Sequence, residues 1–221
     1  MCNAYNVKTN LSAIGEAAKA QLGLSLIFPD GVTAETSNLP VPQDLYPRRD
    51  GLFLRPDEAR TGLEPVVGCW NLTPFFHKGP LKAWKASTNN CRSETMATSP
   101  SFRDAFKRRR CLVPATSFTE WTGPTGSKTR HAIRRADGGM LFFAGLWDRC
   151  PQDDGPVDSY TLVMIPAAGD DDMAPFHNRQ PVLLGAEGAG VWLDPAQDCA
   201  GVLAAPPKGT LVMDPPEPAA G

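Results

Sequence analysis

Four stretches of this chain set polar, ionisable side chains among apolar, strand-like flanks. They are the N-terminal Cys2, NNCRSET (89–95), SFTEW (117–121) and FHNRQPVLL (176–184). Together they hold a thiol, a carboxylate, an imidazole and an amide, the groups from which nucleophilic and general acid–base chemistry is built. Chain ends fray unless something ties them down. Position 2 is therefore a poor place for a core residue and a good one for a nucleophile working beside a free α-amine. Initiator methionine is removed when the next residue is as small as cysteine, and removal would expose a 1,2-aminothiol. Each stretch also has a plainer reading. Cys2 can be a partly buried residue on a first strand, and Asn90 can close a turn with Arg92 and Glu94 solvated. Glu120 can face water, His177 can be an ordinary satisfied histidine, and Arg179 can simply hold a carboxylate.

The whole chain bounds these options. Its 221 residues suffice for one sizeable core and need only one domain. With 24 acidic and 22 basic residues the net charge is −2, so the chain is not a generically basic nucleic-acid binder, and any such contact must rest on a local patch. Six cysteines (2, 69, 91, 111, 150, 199) form no C-x-x-C pair and share no ligand spacing with His77, His131 and His177. Neither a metal nor another cofactor is expected. There is no basic segment followed by an apolar run at the start, and no apolar stretch of about 18 residues. The expectation is a cytoplasmic protein with reduced thiols and no membrane contact.

Several elements must position the four stretches. NLSAIGEAAKAQLG reads as a helix capped by Asn10, with Leu11, Ile14, Ala18 and Leu22 on one face and Gly23 ending it. Residues 28–50 read as an irregular connection. GLFLRP and EPVVGCWNL read as short strands, and SPSFRDAFKRRR as a short helix with a capping serine. CLVPATSFTEW and RHAIRRA read as strands joined by the turn TGPTGSK, followed by the strands MLFFAGLWD and SYTLVMIPA. DDDMAPFHNRQPVLL begins with an acidic helix-start signal and ends in a strand; EGAGVWL and CAGVLAA are weak helices. Strands predominate with helices between them, which gives the α+β class.

Taken in order, these segments resemble the SOS-response-associated peptidase (SRAP) family, whose members form covalent crosslinks with abasic sites in DNA. MCNAY resembles the family's Met-Cys start, and NCRSET its Asn-Ala-Arg-Ser-Glu-Thr segment. SFRDAFKRRRCLVPATSFTEW is similar to its helix, Arg-Arg-Cys strand and Phe-x-Glu-Trp ending. FFAGLWD and HNRQPVLL resemble the two segments that follow. The resemblance implies a single domain over 1–214, mainly antiparallel strands in an SRAP-like open barrel with inserted helices; the composition of PPEPAAG reads as a disordered tail over 215–221. It places the family's nucleophile on Cys2, its asparagine on Asn90, its carboxylate on Glu120 and its histidine on His177. Arg92 and Arg179 fall where the family meets DNA phosphate, and Phe75 and Phe76 where it presents bulky residues to DNA.

The chemistry so implied explains a cysteine at position 2. An abasic deoxyribose opens to an aldehyde; a neutral N-terminal amine forms a Schiff base with it, and the adjacent thiol closes a five-membered thiazolidine. The expected partner is single-stranded DNA carrying an abasic site, including sites at single/double-strand junctions. Glu120 would shuttle protons at the amine, His177 would act as acid in opening the sugar ring, and Asn90 would orient the substrate or the amine. The basic run in FRDAFKRRR reads either as a DNA-facing patch or as a solvated helix face. Asn3 and Ala4 stand where many members have Gly and Arg, and Cys91 replaces a common alanine. Two rival readings are a cysteine peptidase or autoprocessing enzyme using Cys2, and a non-covalent reader of single-stranded DNA.

Overall fold

The computed structural model describes residues 2–41, 43–124 and 127–215. Met1, the centre of the turn expected at 122–128, and the expected tail beyond residue 215 lie outside the described residues. The chain opens with β1 (Tyr5–Val7) and α1 (Leu11–Leu22). The helix starts and stops as its sequence dictates. Asn10 Oδ1 accepts the Ala13 N–H at 2.9 Å, and Gly23, at φ 72°, donates to the Lys19 carbonyl at 3.0 Å. Its buried stripe is Leu11, Ile14, Ala18 and Leu22.

Part of the connection expected to be irregular forms β2 (Gln43–Leu45), antiparallel to β1. A hairpin follows, β3 (Asp50–Pro56) with β4 (Leu63–Trp70). Then come β5 (Asn90–Arg92), α2 (Arg103–Arg108), β6 (Arg110–Ala115), β7 (Ser117–Thr122), β8 (Thr129–Arg135) and β9 (Leu141–Cys150). The last elements are β10 (Val157–Pro166), β11 (Arg179–Pro181), α3 (Ala186–Leu193) and β12 (Leu211–Met213).

Five strands close a ring in the order β10-β4-β3-β6-β9, with β9 pairing back onto β10. All its pairings are antiparallel except β10 with β4. A second, open sheet runs β12-β8-β7-β1-β2. The α+β, strand-dominated class holds. CLVPATSFTEW is two strands in two sheets rather than one. The break is at Thr116, whose N–H and hydroxyl both donate to the Asn6 carbonyl, at 2.7 and 3.0 Å, and turn the chain from the ring to the open sheet. Aromatic side chains cement the two sheets. Phe118 of β7 meets Phe143 of β9 edge-on at 5.7 Å, and Tyr5 meets Trp70 at 4.9 Å. Burying each such ring contributes about 1.5–3 kcal/mol.

Two further expectations are corrected. The acidic start of DDDMAPF makes turns instead of a helix, because its carboxylates are used by loop backbone. Asp171 accepts from the Ala168 N–H at 3.0 Å, and Asp172 from the Gly209 and Leu211 N–H groups at 2.8 and 2.9 Å. CAGVLAA supplies only a 3-10 turn at Ala200–Val202.

Candidate functional site

β10 is longer than its neighbours in the ring need, and its far end carries two more strands. β5 runs parallel to it through Leu162–Met164, and β11 antiparallel through Met164–Pro166. NCRSET and HNRQP therefore flank one strand end. The open sheet brings the other two stretches to the same place. β1 lies against β7, with Tyr5 opposite Phe118, and the ladder continues as the Thr119 N–H donates to the Ala4 carbonyl at 2.9 Å. Beyond that bond the chain runs on to Cys2, alongside Glu120.

Residues 2 and 3 thus bridge the seam between the sheets. Asn90 Nδ2 donates to the Cys2 carbonyl at 2.7 Å, and Asn89 Nδ2 to Asn3 Oδ1 at 3.4 Å. Asn90 Oδ1 is buried and has no hydrogen-bond partner among the described residues. Cys2 is fully buried just ahead of β1, its thiol toward the Ala4 carbonyl at 3.5 Å. Glu120 is 3% exposed, so the reading that it faces water does not hold.

Burial is the first cause of three pKa shifts here. It pushes the Cys2 thiol well above its ordinary value, with the Glu120 charge adding to the rise. It also raises the Glu120 carboxyl and lowers His177. The charge at the chain's amino end is a smaller cause of all three, opposing burial at Cys2 and Glu120 and adding to it at His177. His177 Nδ1 accepts the Arg179 N–H at 2.9 Å. With Nδ1 an acceptor, the neutral ring carries its proton on Nε2.

The two arginines differ. Arg179 holds Glu94 through two bonds of 2.7 and 2.9 Å, across the end of β10. That pairing depresses the Glu94 carboxyl to about 2. Arg92 is exposed, and no acidic side chain among the described residues pairs with it. Cys91 is fully buried between two residues that face the other way, as strand alternation requires, so the additional thiol points into the core.

Phe75 and Phe76 are 42% and 44% exposed on the loop between β4 and β5, ring centroids 5.6 Å apart. The loop is held firmly. Asn71 Oδ1 accepts the Thr88 N–H at 2.9 Å, and Arg48 donates to the Trp84, Lys85 and Ala86 carbonyls at 3.1 Å each. Asp148 accepts the Phe75 N–H at 3.0 Å and pairs with Arg109, whose guanidinium lies 5.7 Å from the Phe75 ring. The basic run is therefore not one patch. Arg108 is exposed, Arg109 backs Phe75, and Arg110 is buried on β6, bonded to the Phe106 carbonyl at 2.9 Å and stacked on Trp192.

One residue beside the site was considered in the sequence only as a zinc ligand. His131 of β8 stands directly opposite Glu120 of β7. Counting outward from the turn at 122–128 gives that pairing, since Thr122 faces Thr129. Among the described residues, no group of three or more His, Cys, Asp or Glu side chains could hold a metal ion, and no helix is long and apolar enough to cross a membrane. All six cysteines are free thiols.

Comparison with known proteins gives a consistent result. The model of the family described as SOS response associated peptidase (SRAP) matches residues 1–215. Abasic site processing protein YoqW of Bacillus subtilis is 33% identical over 128 residues, 57% of this chain and 55% of that protein. Abasic site processing protein YedK of Escherichia coli is 29% identical over 143 residues, 64% of this chain and 60% of that one. The match to HMCES of Gallus gallus, also named an abasic site processing protein, covers 58% of this chain and 44% of that one, at 28% identity. The chain thus spans about half the length of these curated relatives. Among solved structures, a protein of Bordetella bronchiseptica superimposes with a TM-score of 0.78 at 28% identity, over 96% of this chain and 98% of that one. A protein of Bacteroides thetaiotaomicron shares the fold, with a TM-score of 0.75 at 21% identity over 95% of this chain and 90% of that one.

Proposed function

The chain belongs to the SOS response associated peptidase (SRAP) family, and we propose that it captures abasic sites in single-stranded DNA through a thiazolidine formed by Cys2 once Met1 is removed. The relatives named as abasic site processing proteins supply the substrate class. The observation that carries the reading is the half-used Asn90 amide. Its Nδ2 fixes the Cys2 carbonyl at 2.7 Å, while its Oδ1 is buried with no partner among the described residues. A buried acceptor left open at such a place fits an incoming donor, here the α-amine of Cys2 or a sugar hydroxyl.

The steps follow from the groups present. The Nε2–H of neutral His177 hydrogen-bonds to and polarises the ring oxygen, while Glu120 takes the proton of the anomeric hydroxyl and passes it to that oxygen as the sugar opens to its aldehyde. The Cys2 amine, with an ordinary pKa of about 8, attacks the aldehyde carbon in its neutral form. Glu120 accepts the proton that the amine loses and returns it to the departing oxygen, which leaves as water. The Cys2 sulfur then bonds to the imine carbon, and its proton ends on the ring nitrogen. One C–N bond, one C–S bond and one water result. Burial helps here, because a thiol kept protonated leaves the first step to the amine.

The peptidase rival fits less well. An activated cysteine nucleophile calls for a depressed thiol beside a base, often as a thiolate–imidazolium pair. Here burial raises Cys2 and lowers His177. The setting is cytoplasmic in this proposal, in keeping with six free thiols. The test is incubation with a single-stranded oligonucleotide bearing one abasic site, followed by denaturing electrophoresis and intact mass. Wild type should lack Met1 and give a heat-stable adduct. Cys2→Ala should give none, and Cys2→Ser only a borohydride-trappable imine. A heat-stable adduct from Cys2→Ala refutes the mechanism.

A further inference from the structure

We propose that His131 is a positioning residue for Glu120, its Nδ1–H turning to donate to the facing Glu120 carboxylate in the mature site once Met1 is removed, while Thr122 holds the ring from the other side. Three observations converge on this. The first is register: β7 and β8 pair antiparallel with Glu120 directly opposite His131. Side chains so placed share a face, with Cβ atoms about 4.5–5.5 Å apart. The second is the Thr122 hydroxyl, two residues along the same face of β7, which meets His131 Nε2 at 2.7 Å. The third is His131 Nδ1, which is buried and has no hydrogen-bond partner among the described residues. Buried ring nitrogens are normally paired, and here the facing residue is a carboxylic acid.

In the proposed tautomer the Thr122 O–H donates to Nε2, so that the ring carries a proton on Nδ1 and points an N–H at its neighbour across the strand pair. Phe176, with its ring centroid 5.9 Å from that of His131, braces the imidazole and immediately precedes His177. A fixed donor on one carboxylate oxygen leaves the other to exchange a proton with the Cys2 amine. His131 touches no substrate atom. The ionisable groups that act on Glu120 are the Cys2 thiol and the charge at the chain's amino end from the β1 side, with His131 opposite it on β8; the same amino-end charge reaches His177, and Arg179 and Glu94 are paired beyond that residue. Arg130 lies on the other face of β8, opposite Trp121.

The inference deepens the thiazolidine reading and rests on it for the purpose of the proton transfer, so the experiment has one arm without DNA. The Glu120 carboxyl is titrated by carbon NMR in the full-length wild type, His131→Phe and His131→Asn. A donor to the charged form lowers a carboxyl pKa. Its loss in His131→Phe should raise the Glu120 midpoint by about one pH unit, and His131→Asn, whose amide N–H stands near the place of Nδ1, should restore most of it. In the second arm, single-turnover adduct formation should slow about tenfold in His131→Phe and recover in His131→Asn. Should His131→Phe fail to fold, Thr122→Val, which leaves the imidazole in place and removes its tautomer lock, should raise the midpoint in the same direction. Equal Glu120 midpoints in all variants overturn the proposal, as does an equal loss of rate in His131→Phe and His131→Asn with no shift in midpoint. A wild type that forms no adduct would sink the thiazolidine reading alone, and the titration would still decide the role of His131.

Discussion

The two arginines proposed to meet phosphate should respond differently to salt, because one already has an anion. Arg179 is held by two bonds to Glu94, so binding a phosphate there exchanges one anion for another. Arg92 has no such partner among the described residues. Each phosphate neutralised on single-stranded DNA contributes about 0.7 to the slope of log K against log salt. Between 50 and 200 mM salt, a fourfold change, one contact is then worth a factor of about 2.6 in affinity. In a Cys2→Ala background, which prevents covalent capture, fluorescence anisotropy across a salt series reads the slope directly. Arg92→Ala should reduce it by about 0.7 and Arg179→Ala by clearly less, while Glu94→Gln, which frees Arg179, should increase it by up to about 0.7. The fold should survive these changes, since an exposed ion pair contributes about 0–1 kcal/mol. Nor does pH confuse the reading. Arg179 depresses the Glu94 carboxyl to about 2 in the folded chain, so the pair's stabilisation is fully present above the ordinary value near 4.5 and is lost as pH falls through about 2. Equal slope losses for Arg92→Ala and Arg179→Ala, or no change for Glu94→Gln, would refute this account of the phosphate contacts.

Glu120→Gln and His177→Ala should each slow single-turnover adduct formation by about 10²–10⁴-fold without abolishing it, since amine and thiol keep their own reactivity; rates equal to wild type would make both residues structural. By proton NMR, His177 should titrate below the ordinary histidine value of about 6.5, so it stays neutral at pH 7 and charges only on acidification; a midpoint above that value contradicts the effect of burial assigned to it. Phe75→Ala and Phe76→Ala should reduce capture most where a duplex abuts the lesion, because exposed rings there replace lost base stacking, at about 1–3 kcal/mol per stacked base; equal effects on uniform single strands and on junctions count against the wedge. A Cβ on Gly51 would fall on the Tyr160 hydroxyl and within 2.7 Å of Leu45 Cδ1. Gly51→Ala should therefore cost about 1–3 kcal/mol, read as a Tm several degrees lower by calorimetry; an unchanged Tm would mean that the buried Tyr160 side chain has room to move.

What the sequence reveals and what it withholds divide along the reach of the interactions. The first helix is written in fourteen consecutive residues, Asn10 to start it, Gly23 to stop it and a stripe of four apolar residues between, and it folds as written. The SRAP-type segments are equally local, and they name the groups that meet at the seam. Partners many residues away are not local. Nothing near Arg179 announces that Glu94 will hold it, because that pairing depends on β5 and β11 lying at one end of β10. Nothing in KRRR announces that Arg110 turns inward, because the helix ends at Arg108 and the next strand buries the guanidinium against Trp192, 82 residues on. The split of CLVPATSFTEW needs the Asn6 carbonyl, 110 residues back, to receive Thr116. The same non-local geometry determines the chemistry. β10 delivers Asn90 to the Cys2 carbonyl, and the turn at Thr116 sends β7 into the open sheet with Glu120 beside Cys2. A shortened β10 would cost the site its asparagine while leaving every local motif intact.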